Sequence, residues 1–241
     1  FTDEALDLMA SIEKSLRNCR QRLGRLAIPA SPYRRLDSGA IGSVAAAYPL
    51  EIMDSNDERM TDTVNFLMDN CMIKNSFYHD IIHSGINPYL TLELAEVLMR
   101  SGDIRFTDLI RGIADLASPT GQWPEAINPR TGLGCMGDGQ HVWASAEWVI
   151  MMKNCFAMEQ KDKLIIGAGI FPEWLNREND ITAGPISTRW GTVNVSIKVE
   201  KENIIVNAEG RWRTMKPEIE IRLPGYEPVQ AESDETIIKR R

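Results

Sequence analysis

In GQWPEAINPRTG, residues 121–132, the acid Glu125 follows Trp123 and Pro124 and precedes the turn-forming run NPRTG. A carboxylate beside an indole suits proton transfer at a polyhydroxylated ring: the indole covers C–H groups while the acid takes or gives a proton. Glycosidic bonds are hydrolysed by pairs of such acids, one protonating the leaving oxygen and the other acting on water or carbon. A solvated, idle surface acid is the competing reading. Asp37 stands where the connection 25–37 enters a helical pattern, so it caps that helix or faces a cleft; Arg34 and Arg35 before it can hydrogen-bond hydroxyls or orient a carboxylate. The run YHDIIH places Tyr78, His79, Asp80 and His83 together. Its histidine spacing of four would suit a metal only on a helix, and nearby Gly85 and Pro88 mark a loop, so no metal and no cofactor are expected. Asp138 and His141 flank the start of a later helix as caps or rim contacts, whereas Trp143, Glu147 and Trp148 inside that helix read as packing.

These residues must be delivered by a scaffold, and the first 160 positions read as helices. Ala5, Met9, Ile12, Leu16, Cys19 and Leu23 recur at steps of three and four, marking one apolar stripe. A Gly- and Ala-rich second helix is expected over 38–48. A third carries Met60, Val64, Leu67 and Cys71, with Ser55 and Glu58 as a capping box. Asn87-Pro88 opens a fourth with Leu90, Leu94 and Val97 inward; Phe106, Leu109, Ile110, Ile113 and Leu116 mark a fifth, and a sixth runs from about Gln140 to Met158. Long connections (25–37, 74–86, 118–139) alternate with short ones (50–56, 101–105). In antiparallel hairpins that alternation gathers the long loops on one rim, where binding and chemistry concentrate. From about residue 180 the period becomes two: Val193, Val195, Ile197 and Val199 alternate with polar residues, and Ile219, Ile221 and Leu223 give another strand. The expected organisation is a helical domain over 1–160, a β-sheet domain over 161–230, and a tail over 231–241 that is frayed or pairs weakly.

A net charge of −7 and a pI near 5.1 argue against nucleic acid as partner. No apolar run reaches the roughly 20 residues a membrane helix needs. Cys19, Cys71, Cys135 and Cys155 lie far apart, neither zinc-like nor a disulfide framework, which suggests a reducing, cytoplasmic setting.

The order LDSGAIGSVAAAYPLEIMDSNDERMTDTVNFL, LTLELAEVLMRSGD, GQWPEAINPRTG and QHVWASAEWV resembles the second half of the glucoamylase-like glycoside hydrolases, over roughly residues 36–157. The resemblance implies three helical hairpins, half of an (α/α)6 toroid; with the strand pattern after residue 180, which is unlike the family's arrangement, the expected fold is mainly α with a C-terminal β part, a small antiparallel sheet. It implies hydrolysis of a glycosidic bond in an oligo- or polysaccharide, with inversion, and maps the family's catalytic base onto Glu125. Trp123, Arg34, Asp37, His79, Asp80 and His141 would line the sugar cleft. The general acid has no counterpart here, so the expected partners are carbohydrate and an N-terminal half of the same protein or a second chain, and this chain alone is expected to be inactive. Two rivals stand: a polysaccharide lyase using Tyr78 with His79 or His83 and a cationic cleft of Arg34, Arg35 and Arg130, and a non-catalytic carbohydrate-binding scaffold.

Overall fold

A computed structural model describes residues 1–82, 84–213 and 215–240. The chain divides into two compact units, residues 1–147 and 148–241. In chain order the first contains α1 (Thr2–Leu23), a 3-10 segment (Ser38–Ala46), α2 (Glu58–Asn70), β1 (Met72–Ile73), β2 (Ser76–His79) and β3 (Gly85–Ile86). There follow α3 (Pro88–Ser101), α4 (Phe106–Asp115), β4 (Ala126–Ile127), β5 (Gly134–Met136) and the start of α5 (Val142–Phe156).

This corrects the expectation of a mainly α half toroid of three hairpins with one small sheet. Helix takes 36% and strand 26% of the chain, and among the described residues the strands form three sheets of five, four and four strands. Two features account for the difference. The Gly-rich segment SGAIGSVAA winds into a 3-10 helix rather than a second α-helix. The second and third long connections, in turn, hydrogen-bond to one another in a sheet of order β1-β2-β3-β4-β5. Lys74 and Asn75, both at positive φ, close the two-residue turn between β1 and β2.

Local signals read well where a cap settles them. The Asn87 side chain accepts from the Leu90 N–H with Pro88 in the first turn, as the sequence suggests. Helix α2 is capped by Asp57 rather than by a Ser55/Glu58 box. Helix α3 is buried along nearly its whole length, not along one stripe, and its Leu92, Leu94, Leu98 and Met99 are among the largest fully buried side chains, as are Phe77, Ile86, Leu109, Ile113 and Ile127. In α1 only Cys19 is fully buried; Met9 and Ile12 of its stripe are exposed.

The second unit is a β-sandwich. Strands β6 (Ala157–Gln160), β7 (Lys163–Ile166), β8 (Asn179–Thr188), β9 (Gly191–Val199), β10 (Asn203–Trp212), β11 (Glu218–Ile221), β12 (Val229–Gln230) and β13 (Glu235–Lys239) form two sheets, ordered β13-β10-β9-β8 and β12-β11-β7-β6. Val193, Val195, Ile197 and Val199 point inward as their alternation predicts, and meet Leu164, Ile166, Ile219 and Ile221 of the other sheet in one apolar core. The tail is not frayed: Glu235–Lys239 pairs along β10.

Candidate functional site

The second and third long connections touch, and the 3-10 segment that follows the first reaches the second. Ile86 of β3 pairs with Ile127 of β4, and the Cys135 thiol lies 3.5 Å from the Ser84 carbonyl, joining the second connection to the third. The Ser38 hydroxyl donates to Asp80, tying the end of the first connection to the second. Side chains of Ala30 and Ile81 both close on Gly39.

Within the third connection a short hairpin places Glu125. Asn128 organises its turn: the side-chain oxygen accepts from the Arg130 N–H at 2.9 Å and the carbonyl from the Gly132 N–H at 2.8 Å. Across the open end, the Glu125 N–H donates to the Asp138 carbonyl at 3.0 Å, and the His141 N–H donates to the Trp123 carbonyl at 2.7 Å. Gly137, at φ 71, lies directly under the Glu125 side chain; a Cβ there would come within 2.6 Å of the Glu125 Cβ and 2.5 Å of its carboxyl carbon. The result is a trio: one carboxylate oxygen each from Glu125 and Asp138 and one ring nitrogen of His141 lie within 4.8 Å of one another. His141 Nδ1 stands 3.2 Å from Asp138 Oδ2, so the Asp138 carboxylate orients the imidazole. Two oxygens and an imidazole nitrogen are also a donor set that a divalent cation accepts, and this is the one such group among the described residues.

The other sequence candidates divide. Trp123 is 3% exposed, and its indole N–H donates to the Ile113 carbonyl at 2.8 Å, so its ring is core and presents no face to a sugar. Asp37 is an N-cap, accepting from the Gly39 N–H and pairing with Arg34 at 2.8 Å. His79 Nδ1 is 2.8 Å from the Ile82 carbonyl. Tyr78 and His79 are successive residues of β2 and project to opposite faces, which separates the pair that elimination would need. His83 lies outside the described residues.

The ring the sequence reading assigned to packing is the exposed one. Trp143, in the first turn of α5, is 65% exposed. Its centroid lies 5.5 Å from Tyr89 and 5.8 Å from His141.

Behind Tyr89 lies a second constellation. Glu93 and Glu147 are 8% and 6% exposed, and Glu96 and Arg100 are buried beside them. Burial pushes the Glu93 carboxyl up to about 7, the Tyr89 hydrogen bond opposes this, and the Glu147 charge adds to it. Burial likewise raises Glu147 against the Tyr48 hydrogen bond and the Arg100 charge. Both phenols are raised, chiefly by burial. Arg100 bonds Glu51 at 2.8 Å and lies 4.9 Å from the Tyr48 ring centroid. The sequence carried a signal for this constellation: in LTLELAEVL, Glu93 and Glu96 sit one turn apart with apolar residues on every side.

No protein-family model matches the chain, and no curated protein is similar to it. Solved structures named as glycosidases resemble part of it. A wild-type glycosidase and a glycosidase variant in complex with glucose each align with 62% of this chain at 15% identity and a TM-score of 0.47. The chain spans 43% of the length of those proteins. A likeness at this level carries no weight, and the function is read from the geometry. No described helix is long and apolar enough to cross a membrane.

Proposed function

We propose that the loop face of the first unit is a carbohydrate site at which Glu125 acts as general base in the hydrolysis of a glycosidic bond. The observation supporting this is the convergence of Glu125, Asp138 and His141 within 4.8 Å, on the hairpin where the second and third long connections pair. In the reaction a water loses a proton to the Glu125 carboxylate as its oxygen bonds to the anomeric carbon. The bond from that carbon to the leaving oxygen breaks, and the leaving oxygen gains a proton from a second acid. Asp138 is too close to be that acid, because inverting pairs stand roughly 6.5–9.5 Å apart to admit the water. Its part is to hold His141, whose ring can then bond a sugar hydroxyl. The proton donor lies outside the trio.

The test is hydrolysis of α- and β-glucosyl fluorides, whose leaving fluoride needs no proton donor, by the chain and by Glu125→Gln, which keeps shape and removes basicity. The expected result is a fall of about 10²–10⁴-fold. Turnover unchanged in Glu125→Gln would exclude the base role, and saccharide binding without turnover in either protein would leave a non-catalytic binding module.

A further inference from the structure

We infer that Trp143 is the ring-stacking platform of this site and selects a neutral hexopyranose. The inference rests on the carbohydrate reading of the Glu125 face and adds the substrate class. A pyranose is amphipathic, with a face of C–H groups and a rim of hydroxyls; a site for it needs an exposed aromatic plane with hydrogen-bonding groups along its edge. Trp143 meets the first requirement at 65% exposure. His141, 5.8 Å from it, brings the second, because the same imidazole belongs to the trio with Glu125 and Asp138.

The plane is also held in place. Tyr89 packs 5.5 Å away on the opposite element, in the first turn of α3, and its phenol hydrogen-bonds the buried Glu93 carboxyl. Trp143 is thus held by residues at the starts of two helices rather than by a loop, and little side-chain freedom is lost when a ring docks. Trp123, the other ring near Glu125, is buried and cannot compete for the role. Charge sets the class of sugar. The groups beside the platform include two carboxylates, Glu125 and Asp138, which repel a uronate and accept hydrogen bonds from neutral hydroxyls.

The experiment measures binding of maltotriose, cellotriose and trigalacturonate to the intact chain by saturation-transfer NMR and tryptophan fluorescence. It compares wild type with Trp143→Ala, Trp143→Phe and Glu125→Gln. The expected result is that a neutral trisaccharide binds and the uronate does not. Trp143→Ala should weaken binding about tenfold, the scale of one aromatic stacking contact. Trp143→Phe, which retains a ring, should stay within about threefold of wild type on the same scale. The side chain is exposed, so thermal melts of the three variants should coincide with wild type. The inference is overturned if no saccharide binds, if the uronate binds better, if Trp143→Ala binds as wild type, or if Trp143→Phe loses as much as Trp143→Ala. The two proposals fail separately. Glu125→Gln that turns over normally while Trp143→Ala loses binding removes the base and leaves the platform; the opposite pattern removes the platform and leaves the base.

Discussion

Gly137 offers a way to move the Glu125 carboxylate without touching it. Gly137 and Gly132 belong to the same hairpin and have nearly the same backbone, with φ 71 and φ 70. Alanine at either must adopt a left-handed conformation at a cost of roughly 1–2 kcal/mol. That corresponds to a fall in melting temperature of roughly 2–8 °C for a chain of this size. Here the two positions part. At Gly132 a Cβ would enter open space, with no atom within 4 Å. At Gly137 it would stand 2.5 Å from the Glu125 carboxyl carbon, so the carboxylate must swing aside. A displacement of about 1 Å at a reacting group costs on the order of 10²-fold in rate. Differential scanning fluorimetry and initial-rate hydrolysis of Gly132→Ala and Gly137→Ala therefore form a matched pair. Both should lose stability, and only Gly137→Ala should lose about 10²-fold in turnover. Equal turnover in the two variants would refute the claim that the orientation of Glu125 governs the chemistry.

Glu93 makes the fold sensitive to pH in an uncommon direction. Its carboxyl is raised from 4.5 to about 7. Ionising it therefore disfavours the folded state, and stability falls as pH rises from 4.5 towards 7, by at most about 3 kcal/mol from this group. Glu93→Gln should unfold at higher denaturant than wild type at pH 8 and with little difference at pH 4.5; an offset independent of pH would contradict the burial argument. Trp123→Phe removes the bond to the Ile113 carbonyl and should cost about 1–3 kcal/mol in urea unfolding while leaving saccharide affinity unchanged; weaker binding at unchanged stability would restore Trp123 to the cleft. If Glu125 acts as a base, exhaustive chelation should leave hydrolysis unchanged and added Zn²⁺ should inhibit by occupying the trio. Loss of turnover on chelation with recovery on adding metal would make the trio a metal centre instead.

The parts of the fold that the sequence foretold are those with a local cause. Asn87-Pro88 starts a helix because its amide oxygen and fixed φ serve the first turn, and Val193 to Val199 alternate because one sheet face is buried. Strands β1 to β5 were not legible. At two to four residues each they are too short for a period to show, and their pairing, as between Ile86 and Ile127, is set by tertiary approach. Of the second sandwich sheet EIEI was legible from Ile219 and Ile221, whereas AMEQ and KLII span four residues each and show no period. Glu125 was a candidate from its loop setting, and Asp138 and His141 from the start of a helix, whereas the meeting of the three follows from hairpin hydrogen bonds that no spacing reveals. Trp123 and Trp143 differ in exposure from what their settings suggest. Pro and Gly neighbours suggested a surface for Trp123, yet the carbonyl of Ile113 in α4 takes its N–H, while Trp143 faces solvent from a helix whose composition suggested burial.

The central claim is that Glu125 removes the proton from the attacking water. It is tested most directly by hydrolysis of α- and β-glucosyl fluorides, whose leaving fluoride needs no proton donor, followed by NMR at the anomeric proton, for wild type and Glu125→Gln. The account requires turnover by wild type and its loss in Glu125→Gln at unchanged binding. Equal turnover by the two proteins would contradict it.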